Sequence, residues 1–328
     1  MTVIAPSATR IRLPVRLLRA VFNLVVGTLL CLSPLTALLV LGWLTRRMAA
    51  RVDTGLGRAA GHPGWVLGPR GKGWIVRLLG GLAANFRAGV MSAAGLAALT
   101  LPFTMLWLGA WWAGWENSFN KGYEQSAVGP VTWLLGALIA LPILAHLPVA
   151  LAHASAEGRL GAFLEYRRIR SVVRAAGWRV PWLALMSVVL CVPFLGLRAL
   201  PVFVEGIAPG FADMTPAGKM QIAQVFDIAG AALSFLIVLF LRDRASSIYA
   251  RAVPSAARGR TKVVWRDHDA LAIASTGGEP SRQMAALWLV IACTIWSGLP
   301  LLLVFSQFMN YNPVLWVTHP VFLLPWAG

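Results

Sequence analysis

The chain has 328 residues, of which 58% are hydrophobic and only 12% are charged, and its net charge is +17. Soluble proteins carry about 25% charged residues, so this composition excludes a soluble globular enzyme, a disordered chain and a disulfide scaffold. Together with a mean hydropathy of +0.70, it indicates a polytopic membrane protein.

The apolar runs are the main structural signal. A bilayer core of about 30 Å needs roughly 20 apolar residues per helix. After a more ambiguous run at 20–45, five runs reach that length, at 88–115, 130–153, 181–204, 221–241 and 284–308. We therefore predict an all-α fold, a polytopic transmembrane helical bundle in which 1–328 forms a single integral membrane domain. The tail at 309–328, uncharged and interrupted by prolines, is predicted to lie along the outer interface.

The Lys and Arg residues predict the orientation, because positive charge is retained on the cytoplasmic side. Residues 46–87, 154–180 and 242–283 hold eight, six and eight of them, whereas the loops at 116–129 and 205–220 hold one each. The basic segments are therefore placed inside, with a cytoplasmic N-terminus and a periplasmic C-terminus. The net charge then divides into about +19 inside and about −2 outside.

The first run, 20–45, has strongly basic flanks on both sides, so a full crossing would misplace positive charge. Pro34 lacks a backbone donor and disfavours helix at Ser33. We predict that the run turns near Ser33-Pro34 and returns as a half-membrane helical hairpin on the cytoplasmic side. Each arm would then be about 16–20 Å long, enough for half of the bilayer. The alternative is an ordinary first span with a proline kink, which gives six spans.

Two charged residues and two histidines lie inside the apolar runs. Arg198 and Asp227 are predicted at similar depth near the outer boundary, on helices joined by a short loop. Because an unpaired charge there is costly, we interpret them as an intramembrane ion pair; interfacial snorkelling and an ion or substrate path are the alternatives. His146 and His153 share one helix face, and are weak candidates for binding haem or a pigment; packing or a hydrogen bond to a neighbouring helix is the simpler interpretation.

An aromatic ridge follows one helix, because aromatic residues recur at every fourth position. Its outer half coincides with the predicted membrane boundary, where Trp and Tyr are enriched, so we interpret it as an interfacial belt. A docking ridge for a partner helix or a flat cofactor is the alternative. The ridge consists of Phe103, Trp107, Trp111, Trp115, Phe119 and Tyr123.

The basic loops are interpreted as surfaces for anionic lipids of the cytoplasmic leaflet, each basic residue near such a leaflet contributing about 1 kcal/mol. The glycine-rich stretch at 55–73 has neither the spacing nor the preceding strand of a nucleotide-binding loop. No recognition module accompanies the charge, so no nucleic-acid partner is predicted. The lipid-contact candidates are Arg167, Arg168, Arg170, Arg258, Arg260 and Lys262.

The sequence shows no catalytic or metal-binding pattern. Cys31, Cys191 and Cys293 are isolated in apolar runs, without the spacing of a zinc site. Asp267-His268-Asp269 resembles a metal cluster only superficially, because adjacent residues rarely point the same way. No catalytic residue, no metal and no cofactor are therefore predicted, apart from bound lipids.

The loop from His153 to Phe163, which reads HASAEGRLGAF, is followed by arginines and another span. In this it resembles uncharacterised bacterial multi-pass membrane families of unknown function. The resemblance implies a bacterial inner membrane and offers no catalytic residue to transfer.

We expect a non-enzymatic integral membrane subunit or scaffold of a larger inner-membrane complex, with other membrane subunits as partners. The broken first hairpin, the aromatic ridge and the apolar tail all offer surface to a partner. A permease or channel-like transporter is the alternative, supported by Arg198, Asp227 and the proline-broken helices. A pigment- or haem-associated subunit, through His146 or His153, is the third hypothesis.

Overall fold

The computed structural model describes residues 13–61, 63–65, 73–114, 127–208, 210–211, 213–258, 262–273 and 281–299, without the side chains at 13, 16, 111–114, 198–207 and 273. Across these residues the regular structure is entirely helical. The helices are α1 (Leu13–Leu30), α2 (Pro34–Gly55), α3 (Trp74–Gly114), α4 (Val128–Glu157), α5 (Tyr166–Ala176), α6 (Arg179–Ile207), α7 (Pro216–Arg258) and α8 (Arg282–Trp296). Short 3₁₀ helices cover Leu160–Leu164, Lys262–Trp265 and Asp269–Ile273.

Four of the described helices, α3, α4, α6 and α7, are long and apolar enough to cross a membrane. They overlap the runs predicted at 88–115, 130–153, 181–204 and 221–241. Helices α1 and α8 are apolar but shorter; the run at 284–308 is described only as far as residue 299, and the tail at 309–328 lies outside the described residues. The structure is that of a helical membrane protein, as the composition predicts.

The first apolar run is broken where Pro34 predicts a break. Helix α1 ends at Leu30, and α2 begins at Pro34 with Ser33 in an extended conformation (φ −136°, ψ 137°). Proline is well placed there, because the first residue of a helix needs no backbone donor. The Thr36 hydroxyl donates to the Leu30 carbonyl at 2.7 Å and so satisfies a carbonyl at the end of α1.

A tryptophan from the loop after α2 is inserted between the first two helices. Trp65, only 8% exposed, stacks on Trp43 of α2 with the ring centroids 4.1 Å apart, and its Nε1 donates to Asn23 Oδ1 of α1 at 2.8 Å. Trp43 Nε1 in turn donates to the Pro63 carbonyl at 3.1 Å, and Asn85 of α3 donates to the Trp65 carbonyl. Because Trp65 contacts both Asn23 of α1 and Trp43 of α2, these two positions lie at the same level on the two helices.

Helices α2 and α3 cross at backbone contact. A Cβ atom added at Gly42 would lie 1.6 Å from the carbonyl oxygen of Asn85, and one added at Gly89 would lie 1.9 Å from that of Leu38. Small residues are used in this way in membranes, because close approach of two helices maximises van der Waals contact. Helix α2 therefore lies inside the bundle, where its residues from Val40 to Thr45 are all buried.

Helices α3 and α7 are longer than a membrane requires. Their 41 and 43 residues correspond to about 62 and 65 Å, roughly twice the apolar thickness of a bilayer. Helix α7 packs against α5 and against the 3₁₀ helices Lys262–Trp265 and Asp269–Ile273. This arrangement forms a layer at the basic ends of the helices, and the layer carries the site described below.

The inner half of the aromatic ridge lies inside the bundle. Phe103 and Trp107 have no exposed surface, and Trp107 Nε1 donates to the Trp133 carbonyl of α4 at 3.2 Å. Trp107 therefore serves α3–α4 packing, and Phe103 lies against it with the ring centroids 5.0 Å apart. Neither the belt nor the docking interpretation describes these two buried side chains. The Trp111 side chain, Trp115, Phe119 and Tyr123 lie outside the described residues.

Candidate functional site at the basic ends of the helices

The candidate site is a cluster of paired polar side chains on α4, α7 and the connection to α5. Gly158 ends α4 in the left-handed conformation (φ 64°), which glycine adopts without strain. The 3₁₀ helix Leu160–Leu164 then turns the chain back, so that Glu165, immediately before α5, meets His153 on the last turns of α4. The local turn therefore assembles the site.

His153 is fully buried and uses both ring nitrogens. Nε2 lies 2.9 Å from Glu165 Oε2, and Nδ1 lies 2.7 Å from the hydroxyl of Tyr249, which is itself 2% exposed. Because a carboxylate only accepts, Nε2–H donates to Glu165 and Nδ1 accepts from the tyrosine O–H. One histidine thus joins α4, α7 and the start of α5.

Glu165 is the central acceptor of the cluster. It accepts from His153, from Arg159 and from Arg168, whose Nη1 lies 2.8 Å from Oε2. Burial raises the pKa of Glu165, but the hydrogen bonds from His153 and Arg159 and the charge of Arg168 outweigh this effect and lower the pKa to about 2. A carboxylate of such low basicity is a poor general base near neutral pH.

Arg168 fastens the next segment of chain to the cluster. Its Nε donates to the Val264 carbonyl at 3.1 Å, and its guanidinium lies 5.7 Å from the centroid of the buried Trp265 ring. Trp265 Nε1 donates to Ser171 Oγ of α5 at 3.0 Å. The 3₁₀ helix Lys262–Trp265 is thereby held against α5.

A second histidine–glutamate pair lies beside the first. His268 Nε2 lies 2.6 Å from Glu157 Oε1 on the last turn of α4, and its Nδ1 accepts from the Ala270 backbone N–H at 2.9 Å. Arg159 also approaches Glu157, at 3.6 Å. The rings of His153 and His268 are 6.5 Å apart, so the two pairs form one cluster.

An open cleft of about 680 Å³ lies next to Glu165. Its wall combines three arginines with apolar and aromatic side chains, of which Tyr166 and Leu164 are 53% and 71% exposed. The lining residues are Arg159, Leu164, Glu165, Tyr166, Arg167, Arg168 and Val264. The titratable side chains of this cluster are hydrogen-bonded to one another. Their bonds connect α4, α7 and the start of α5.

The two histidines singled out in the sequence have different environments. His146 is 5% exposed, donates from Nδ1 to the Pro142 carbonyl at 2.7 Å and lies 5.3 Å from the Tyr166 ring. Its Nε2 is buried and has no hydrogen-bond partner among the described residues. His153 would have to release Tyr249 or Glu165 before it could bind a metal, and the described residues contain no group of three or more His, Cys, Asp or Glu placed to hold a metal ion.

The predicted ion pair falls partly outside the described residues. Asp227 is exposed on α7, whereas the Arg198 side chain is not described. Of the predicted lipid-contact residues, Arg168 belongs to the cluster around Glu165, and Arg260 lies outside the described residues. Arg167, Arg170, Arg258 and Lys262 are exposed, and their contact with lipid stays a prediction.

Sequence reasoning identified only part of this cluster. Glu165, Tyr249 and the role of His268 were missed, and Asp267-His268-Asp269 was considered only as a metal motif. One signal was present: Glu157 and Glu165 are the two acidic residues in a loop with six basic ones, and such residues tend to pair. No family model, no curated protein and no solved structure matches this chain.

Proposed function

We propose that this protein is a non-enzymatic integral membrane subunit that acts as a scaffold in a larger complex of a bacterial inner membrane. The observation that supports the proposal is the cluster around Glu165. Its histidine, glutamate, tyrosine and arginine side chains join α4, α5, α7 and the 3₁₀ helix at 262–265. A layer held together in this way offers a partner a surface of fixed shape. The low pKa of Glu165 does not suit acid–base catalysis near neutral pH.

The proposed topology has five spans and a half-membrane hairpin formed by α1 and α2, with a cytoplasmic N-terminus and a periplasmic C-terminus. Two observations support the hairpin. The chain turns between Leu30 and Pro34. Asn23 of α1 and Trp43 of α2 both contact Trp65, one through a hydrogen bond and the other through ring stacking. From Trp43 back to Pro34 the arm extends by about 14 Å, roughly half of the apolar thickness. The apolar outer face of α1, where Leu18 is 72% exposed, is then available to lipid or to a partner.

Single-cysteine labelling tests this topology in a variant whose three native cysteines are replaced by alanine. With a membrane-impermeant thiol reagent on intact spheroplasts, we expect Met214→Cys, between α6 and α7, to react from outside. Ala59→Cys, after α2, should react only after permeabilisation, and Leu32→Cys, at the hairpin turn, from neither side. Leu32 and Met214 are both about 45% exposed on the isolated chain, so a difference between them reports membrane depth. Labelling of Ala59→Cys from outside would show a full crossing of the run 20–45.

Co-purification tests the scaffold proposal. The tagged full-length chain, extracted in mild detergent, should carry other membrane proteins at constant stoichiometry in quantitative mass spectrometry. We expect Glu165→Gln to lose at least about half of them, because a neutral amide holds Arg159 and Arg168 less strongly. The matched control is Asp269→Asn, an exposed acid in the same layer, which should retain them.

Size-exclusion profiles of both variants show whether each is folded. A wild-type chain that purifies alone as a homo-oligomer would contradict the scaffold proposal. It would favour the second candidate, a transporter, for which His146 is the supporting observation. This histidine lies between Pro142 and Pro148 in the middle of α4 and has a buried ring nitrogen without a described partner, and polar groups at such depth are typical of solute or ion pathways.

A further inference from the structure

A second cleft, of about 580 Å³, lies between the ends of α2 and α7. Alanine and glycine residues form part of its wall, and helices α2 and α7 approach closely there: a Cβ atom at Gly55 would lie 2.7 Å from that of Ala250. The polar lining comes from Arg47, Arg51, Thr54, Ser247 and Arg251. None of these residues belongs to the cluster around Glu165.

The cleft carries more positive than negative charge. Arg47 binds Asp243 through two hydrogen bonds, from Nε at 3.0 Å and from Nη2 at 2.8 Å, and Arg51 Nη1 binds the same carboxylate at 2.7 Å. One carboxylate thus serves two guanidinium groups. Arg251 is exposed and makes no ion pair within the described part of the chain, so two positive charges are left without compensation.

Two of the three arginines, Arg47 and Arg51, are also held in place before any ligand arrives. The Arg47 guanidinium lies 5.5 Å from the centroid of the Trp43 ring as well as on Asp243. Asp243 in turn fixes one end of Arg51 and leaves its Nε and Nη2 without a described partner. Guanidinium groups held in this way bind the oxygens of a phosphoryl group with two parallel hydrogen bonds each.

The position of the cleft relative to the bilayer surface indicates where the phosphoryl group comes from. Arg47 follows the apolar run 20–45 and Asp243 follows the run 221–241, so on the proposed topology both lie at the cytoplasmic surface of the bilayer. Arg251 lies eight residues further along α7, about 12 Å beyond Asp243. Arg51 and Arg251 line the same cleft, so a lipid phosphate that enters the cleft from the bilayer surface meets both side chains.

We propose that the cleft between α2 and α7 binds a phosphoryl group through Arg51 and Arg251, and that the headgroup of an anionic lipid of the cytoplasmic leaflet supplies it. The choice of a lipid rests on the proposed orientation in the membrane, whereas the phosphoryl site rests on the arginines alone. The site is separate from the lipid-contact residues predicted from the sequence.

Thermal unfolding of the purified, delipidated full-length chain in detergent tests the proposal. The additives are phosphatidylglycerol, phosphatidylcholine, glycerol 3-phosphate and inorganic phosphate. We expect phosphatidylglycerol to raise the unfolding midpoint by several degrees more than phosphatidylcholine, since a ligand that binds only the folded state stabilises it. Arg251→Gln should lose at least half of this difference. Arg174→Gln, a matched exposed arginine on α5, should keep it.

Each result assigns or removes the site. A shift that depends on Arg251 with phosphatidylglycerol alone assigns a lipid headgroup. One that glycerol 3-phosphate and inorganic phosphate also produce assigns the phosphoryl group itself, whether it is free or lipid-borne. The proposal is overturned if the shift does not depend on Arg251, or if Arg174→Gln loses as much of the shift as Arg251→Gln does. The measurement needs no partner protein, so its failure is distinguishable from a failure of the scaffold proposal.

Discussion

Replacing Gly42 with alanine is expected to separate α2 from α3 and to destabilise the folded protein by about 3 kcal/mol or more, near the top of the range for overpacked sites. The added Cβ atom would lie 1.6 Å from the carbonyl oxygen of Asn85 and 2.8 Å from the backbone nitrogen of Gly89. Backbone atoms of a helix cannot rotate away as the end of a side chain can. The two helices must therefore move apart along a contact in which Gly42 faces Asn85 and Gly89 faces Leu38.

The measurement is the midpoint of thermal unfolding in detergent, together with the yield of monodisperse protein. The matched control is Gly80→Ala, on the same helix as Gly89, where a Cβ atom would meet nothing within 4 Å. This control should be neutral or slightly stabilising, because alanine costs less backbone entropy than glycine in a helix. If Gly42→Ala unfolded at the wild-type temperature, the close crossing of α2 and α3 would be wrong.

Hydropathy and proline placement predicted the helical elements well, for physical reasons that act locally. An apolar run of about 20 residues satisfies its backbone in lipid only as a helix. Pro34 removes a donor and restricts Ser33, so the break between α1 and α2 follows from two adjacent residues. The ends of the helices do not follow in this way. Helix α7 continues past Asp243 to Arg258, because charge marks the edge of a membrane and does not terminate a helix.

The cluster around Glu165 was predictable only in part. His153 was noticed because it shares a helix face with His146, but its partner Tyr249 is 96 residues away in sequence. Helical periodicity carries no information about such a contact. Glu165 is closer, at 12 residues, but it reaches His153 only through the turn that follows Gly158, and helical periodicity does not specify the geometry of that turn.

Trp65 shows the same difficulty in the glycine-rich loop. The stretch at 55–73 was interpreted from its glycines and its basic residues, and one tryptophan among them gives no periodic signal. Its burial is decided by the groove that α1, α2 and α7 form together. Phe235 of α7 completes that groove, with its ring centroid 6.2 Å from those of both Trp43 and Trp65.

Replacing Trp65 with alanine should therefore destabilise the protein by about 3–5 kcal/mol, the range for removing a large aromatic side chain from a core. The substitution removes the stacking on Trp43 and the hydrogen bond to Asn23 Oδ1, and with them the contact that joins the two arms of the hairpin. Trp65→Phe keeps the ring but not the donor, so it should cost only about 1–2 kcal/mol. Thermal unfolding in detergent measures both values.

The control is Trp74→Ala, at the start of α3, because Trp74 is 70% exposed and its removal opens no cavity; a change below about 0.5 kcal/mol is expected there. A second measurement reports the hairpin directly. In the cysteine-free background, Leu32→Cys should become reactive toward a thiol reagent when Trp65→Ala is added, since the arms lose their shared contact. Equal stability of Trp65→Ala and wild type would mean that the arms are held by other contacts, and that the loop after α2 lies outside the groove.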